Sequence, residues 1–181
     1  MLTMSTLRYI DAVNTVLEDV MAELIRDRVC AEVDGEIVVF LIGMRINRPW
    51  KPWRWLPIFG AMTRMLRELA QQPELGLLAS RTHFGLRSPM LVQYWRSAAD
   101  LQAYAQAPDK QHLPAWQAFN RMIGTNGDVG IWHETYVVPA GHSESVYVNM
   151  PRYGLGLAGT LFAAKGARAS AAKRLTGAIR G

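Results

Sequence analysis

The run Glu36 to Asn47, EIVVFLIGMRIN, is the most apolar stretch of the chain, and it limits what the rest can fold into. Its core, Ile37 to Met44, is rich in β-branched and aromatic residues and too short to cross a bilayer, so it reads as a strand buried on both faces. Such a strand belongs in the middle of a sheet. Alternation gives one face Val38, Phe40, Ile42, Met44 and Ile46. The other face runs Ile37, Val39, Leu41, Gly43 and Arg45, turning from apolar to small to cationic at the strand's exit. That change is a first hint of a site; the plainer reading is that Gly43 admits a neighbouring side chain and Arg45 reaches solvent.

The flanking segments supply partners for this strand. From Ser5 to Arg26 the apolar positions Leu7, Ile10, Val13, Leu17, Met21 and Leu24 recur at helical spacing, with Ser5 as N-cap. After the strand, RPWKPWRWLP (48–57) sets three tryptophans among Arg48, Lys51 and Arg54, and its three prolines predict a loop. Helical spacing resumes at Ile58 and stops before Pro73. Leu77 to Phe84 and Pro89 to Ser97 read as strands joined by a hairpin-length loop. Ser97-Ala-Ala-Asp100 has the form of a capping box and opens a helix through Ala105, with a second helical piece from Leu113 to Ile123. Asn126-Gly127 marks a turn before a strand from Val129 to Val138, and Ser145 to Asn149 reads as a further short strand.

Strand, helix, strand, strand, helix, strand is the order of an α+β, ferredoxin-like βαββαβ half-barrel. The expected organisation is an N-terminal amphipathic helix (1–27), the half-barrel (28–155) and a Gly/Ala-rich basic tail (156–181) expected to be flexible. Right-handed crossovers place both helices on one face of the sheet, and the opposite apolar face is too large to leave wet. Cover comes from the N-terminal helix or from a second copy; a homodimer through sheet faces is the preferred reading.

Charge narrows the partners. Residues 1–162 hold all 15 acids and 15 of the 20 basic residues, so the net +5 lies in the tail at Lys165, Arg168, Lys173, Arg174 and Arg180. A neutral core argues against nucleic acid and leaves a weak membrane-surface contact through the tail. The sole cysteine, Cys30, excludes an intrachain disulfide and a thiolate-rich metal site. No apolar run reaches spanning length, and the N-terminus lacks the order of a signal peptide, so the expectation is a cytoplasmic protein. No His/Asp/Glu spacing suits zinc or mononuclear iron, and neither a phosphate-cradling glycine loop nor a nucleophile elbow is present.

FLIGMRIN (40–47), QYWRSAADLQAYAQAPDKQHLPAWQAFNR (93–121), GDVGIWHETYVV (127–138) and ESVYVNMP (144–151) together resemble the fumagillin-pathway-monooxygenase-like family of the dimeric α+β-barrel superfamily. The resemblance covers residues 28–155 and implies a half-barrel that dimerises through its sheets, with a pocket between sheet and helices. It implies one of two chemistries: cofactor-free oxygenation of a polyketide-like aromatic, or a haem protein such as a haem-degrading enzyme or aldoxime dehydratase. The cofactor-free relatives keep a tryptophan where Trp95 stands, but their asparagine four residues earlier is Leu91 here.

For oxygenation without a cofactor the candidate bases are His133 and His83, and the candidate oxyanion donors are Arg45 and Asn47. Tyr104, Trp116 and Glu134 complete the expected substrate contacts, and the substrate is a small apolar molecule, aromatic, polyketide-like or isoprenoid-derived. His133 and Glu134 are adjacent on a strand, so they point to opposite faces, and the pocket receives one or the other. In the haem alternative the axial ligand is His112 or His133, and the resemblance to haem-degrading relatives implies the set Asn47, Tyr104 and His112. A third reading is a non-enzymatic module for a hydrophobic ligand. The tryptophan-rich segment at 48–57 reads as a lid, an interfacial anchor or a stacking surface, and the resemblance favours the lid.

Overall fold

The computed structural model describes residues 22–122 and 124–175. The apolar run forms β2 (Ile37–Ile46), with β1 (Val29–Glu32) ahead of it and helix α1 (Pro52–Gln71) behind. A hairpin follows, β3 (Leu77–His83) and β4 (Met90–Trp95), then helices α2 (Ala98–Gln106) and α3 (His112–Met122), and strand β5 (Val129–Val138). The chain ends in α4 (Leu155–Ala158), β6 (Thr160–Ala163) and α5 (Ala171–Arg174).

One sheet runs in the order β3-β4-β2-β5, antiparallel throughout, with Ile42 opposite Leu91 on one side and His133 on the other. This is the ferredoxin-like arrangement, and β2 is central in it, as its uninterrupted apolar character requires. The helices lie on the face of Val38, Phe40, Met44 and Ile46. At one end Val38, Trp95, Tyr104 and Leu69 pack together; at the other Met44, Ile46 and Val129 meet Trp55, Ile58, Phe59 and Phe119. Helix α2 begins as its capping box predicts, with Ser97 Oγ accepting the Asp100 N–H at 3.1 Å.

Four expectations are overturned. Residues 52–57 are not loop: Pro52 occupies the first helical turn, where a missing N–H costs nothing, and Pro57 is carried inside α1. Residues 22–26 are not helical, and Ile25 instead bridges to Met150; the helix expected from Ser5 otherwise lies outside the described residues. Ser145 to Asn149 is no strand, since only Tyr147 makes a bridge, to Val29.

The tail is the fourth. Through Leu175 it is built into the fold, with β6 paired antiparallel to β1 from Val29↔Ala163 to Glu32↔Thr160. Gly159 permits this approach, because a Cβ there would lie 2.4 Å from the Glu32 carbonyl oxygen. Arg168 pairs with Glu32 and Arg174 with Glu144. Ala31, Ile37 and Leu155, with Tyr94, Val138, Tyr147 and Leu161, form an apolar layer behind the sheet. Part of the face assigned to a second copy is therefore covered by the chain's own C-terminal segment.

Candidate functional site

Register decides which predicted site residues meet. His133 lies opposite Ile42 and shares the helix-facing side, its ring centroid 5.6 Å from that of Phe40. It is exposed, as are Thr135 and Val137 on the same face of this edge strand, whereas Phe40 is half-buried. The result is an accessible imidazole against an apolar wall beside the helices.

Behind that wall is a buried polar relay. Trp95 is 1% exposed and donates through Nε1 to Gln93 Oε1 at 3.0 Å; Gln93 is itself buried. The Trp95 and Tyr104 rings lie 5.8 Å apart, and Tyr104 donates its hydroxyl to Glu68 Oε2 at 2.9 Å. Glu68 also accepts the Gln111 N–H at 3.0 Å. Burial, with the hydrogen bond and charge of Glu68, pushes the Tyr104 phenol up, so it remains a donor. His112 completes the row, with Nδ1 3.0 Å from the Ala105 carbonyl and its ring 6.1 Å from Tyr104.

Other candidates go elsewhere. His83, on the far edge strand and the opposite face, has its ring 6.1 Å from Tyr153, over which Arg81 stacks at 4.1 Å. The two candidate bases, His83 and His133, therefore do not line one site: sheet position and side-chain alternation separate them. Glu134 also faces away from the helices, accepting the Tyr136 hydroxyl at 2.6 Å, and Arg45 on that face reaches Ser88 Oγ at 3.4 Å. Gly43 does admit a neighbour: the Trp132 indole covers it, 2.8 Å from where a Cβ would stand. Asn47 lies just past β2 and gives its N–H to the Asp128 carbonyl, and Trp116 is exposed and stacked on Phe119. With Trp95 buried against Gln93 and Tyr104, its place is beneath the accessible surface.

Gln93, Glu68 and Asp128 were not anticipated. Each had a signal: Gln93 interrupts the buried alternation of Leu91 and Trp95, Glu68 is the only acid of α1, and Asp128 follows a turn. Among the described residues no group of three or more His, Cys, Asp or Glu side chains could hold a metal ion, and no helix is long and apolar enough to cross a membrane.

The family model described as "Monooxygenase af470-like" matches residues 37–155. Monooxygenase af470 of Aspergillus fumigatus is 29% identical over 155 residues, 71% of this chain and 53% of the relative. The chain thus spans about half the length of that curated relative. Among solved structures, an aldoxime dehydratase in complex with butyraldoxime superposes with a TM-score of 0.61 at 17% identity, over 76% of this chain and 43% of that one. A cofactor-independent oxygenase from Streptomyces nogalater matches more loosely, at TM-score 0.40 and 14% identity, over 56% of this chain and 91% of the other.

Proposed function

The chain belongs to the Monooxygenase af470-like family, and from that premise we propose that it oxygenates a small apolar molecule on the helix-facing side of its sheet without a cofactor. The observation that carries the proposal is His133, accessible on the helix-facing side of the sheet with its ring beside the half-buried Phe40. The substrate class is an acidic aromatic, polyketide-like or isoprenoid-derived compound whose C–H is weak enough for an imidazole to remove its proton. His133 takes that proton, the resulting carbanion reduces dioxygen to a carbon-bound hydroperoxide, and loss of water leaves a carbonyl. One CH2 and one O2 become one C=O and one H2O. Phe40 gives the apolar molecule a surface to pack on, and the Gln93–Trp95 and Tyr104–Glu68 hydrogen bonds fix the side chains behind it.

Oxygen uptake with an anthrone-type phenol tests this. Replacing His133 by Ala should lower kcat by about a hundredfold or more, the usual loss for a general base. His83→Ala, on the other face, should leave the rate within a factor of about two. Equal uptake by parent and His133→Ala would refute the assignment.

A second reading rests on one observation. The Ala105 carbonyl engages His112 Nδ1, so Nε2 is the ring nitrogen through which His112 would hold a haem iron. Haem bound there would supply a redox-active iron, and a Soret band on hemin titration that His112→Ala removes would favour it over the cofactor-free route. As to assembly, the part of the sheet face left uncovered, including Trp132 and the half-exposed Tyr136, is the proposed homodimer contact.

A further inference from the structure

At the exit end of β2 two loops lie side by side. The Ile46 N–H donates to the Arg87 carbonyl at 2.8 Å and the Met44 N–H to the Pro89 carbonyl at 3.1 Å. The Arg87 guanidinium returns two bonds, to the carbonyls of Ile46 at 3.0 Å and Asn47 at 2.7 Å. Large apolar side chains project from this rigid end into solvent: Leu86 is 99% exposed, Trp50 68%, Trp53 63%, Phe84 62% and Leu56 49%. A chain burying its hydrophobes for stability alone leaves single exposed residues, not five on a hairpin loop and the adjoining start of a helix.

Charge at this end has one sign. The exit of β2, the start of α1 and the β3–β4 loop carry Arg45, Arg48, Lys51, Arg54 and Arg87, and residues 37–67 and 75–99 contain no acid. The carboxylate that the fold brings here, Asp128, is 2% exposed and already occupied by Arg48 at 2.7 Å and Lys51 at 3.1 Å. A whole-chain charge count hides this local imbalance.

We propose that this end of the molecule docks on an anionic bilayer surface, with Leu86, Phe84 and the two tryptophans entering the headgroup region and the cations facing lipid phosphates and carboxylates. Tryptophan and arginine beside protruding aliphatic groups are what an interface between water and acyl chains selects. Nucleic acid fits less well, since a fully exposed leucine offers bases neither a hydrogen bond nor a stacking surface. Docking would place the sheet's exit end against the phase in which a small apolar molecule dissolves. The inference does not depend on the oxygenase reading.

The test is co-sedimentation of the full chain with unilamellar vesicles, phosphatidylcholine alone against phosphatidylcholine with roughly a third phosphatidylserine. The expected result is binding to the anionic vesicles only, a blue shift of tryptophan emission, and release at about 1 M salt. Leu86→Asp and Trp50→Ser should each weaken binding about tenfold or more, and Arg45→Gln about fivefold, with circular dichroism unchanged because these side chains are exposed. No pelleting with anionic vesicles at low salt overturns the proposal. So does equal binding by Leu86→Asp and the parent, or binding to a single-stranded oligonucleotide that those substitutions weaken while vesicle binding is absent.

Discussion

Asp128 is buried and receives three cations, with Arg48 at 2.7 Å, Lys51 at 3.1 Å and Arg54 at 3.5 Å. Its backbone carbonyl also accepts the N–H groups of Asn47 and Arg48, so one residue ties the exit of β2 and the start of α1 to the entry of β5. The start of a helix is the wrong place for Lys51 and Arg54 unless a carboxylate offsets them, because the macrodipole there is positive. Burial alone would push the Asp128 carboxyl up, but the hydrogen bond and charge of Lys51, together with Arg48, outweigh it and hold the group below its ordinary value of 3.8. A carboxyl depressed in the folded state contributes its full stabilisation above the unfolded value and loses it as pH falls through the lower, folded one. Asp128→Asn should therefore be less stable than the parent near neutrality, and its unfolding midpoint should change less between about pH 5 and about pH 2. Parallel pH profiles for the two proteins would show that Asp128 contributes nothing specific.

Helix α1 shows what a local reading of sequence captures and what it misses. Three prolines in ten residues argue for loop by their number, yet two of them act differently once position is known. Pro52 has a preset φ that suits the first turn, while Pro57 removes the N–H that would bond the Trp53 carbonyl. Trp55, Ile58 and Phe59 outweigh that loss by packing on Met44 and Ile46. Pro57→Ala should then restore a donor and raise stability by about 1 to 3 kcal/mol, read as a higher urea midpoint; a midpoint at or below the parent's would mean the turn is shaped by packing alone. The half-barrel elements were legible because each carries its own signal: the capping box at Ser97, the Asn126-Gly127 turn, the unbroken apolar run of β2. Strand β1 and its partner β6 were not, because four-residue strands of small and mixed character, 132 positions apart at the Cys30↔Phe162 pair, have no periodicity to read. The site failed in a comparable way. Residue type nominated both His133 and His83, but only register shows that they lie on opposite faces and opposite edges of the sheet.

At the scale of the molecule, a ferredoxin-like sheet with its helices on one side leaves a second face to be covered, and this chain covers part of it with residues that composition alone marks as flexible. Alanine and glycine serve there because the segment must lie close, as Gly159 does against the Glu32 carbonyl. What fixes it is electrostatic at two points and apolar between them: Arg168 on Glu32, Arg174 on Glu144 and on the Arg168 carbonyl, with Leu155 and Leu161 against Ile37 and Ala31. Cys30 reports on this cover directly. It is 0% exposed, and its thiol lies 3.7 Å from the Phe162 carbonyl of β6, so a thiol reagent reaches it only when β6 lifts from β1. The native protein should therefore react slowly with a disulfide reagent. Arg174 is largely buried at its partners, and Arg174→Ala strands the Glu144 carboxylate and frees the Arg168 carbonyl, a loss of about 1 to 3 kcal/mol. If that loss falls on the local opening, the reaction at Cys30 should quicken by about tenfold for each 1.4 kcal/mol, while the global unfolding midpoint moves much less. A rate that instead follows the global midpoint would mean that β1 and β6 separate only when the whole sheet unfolds, and that the C-terminal segment is as much a part of the core as β2.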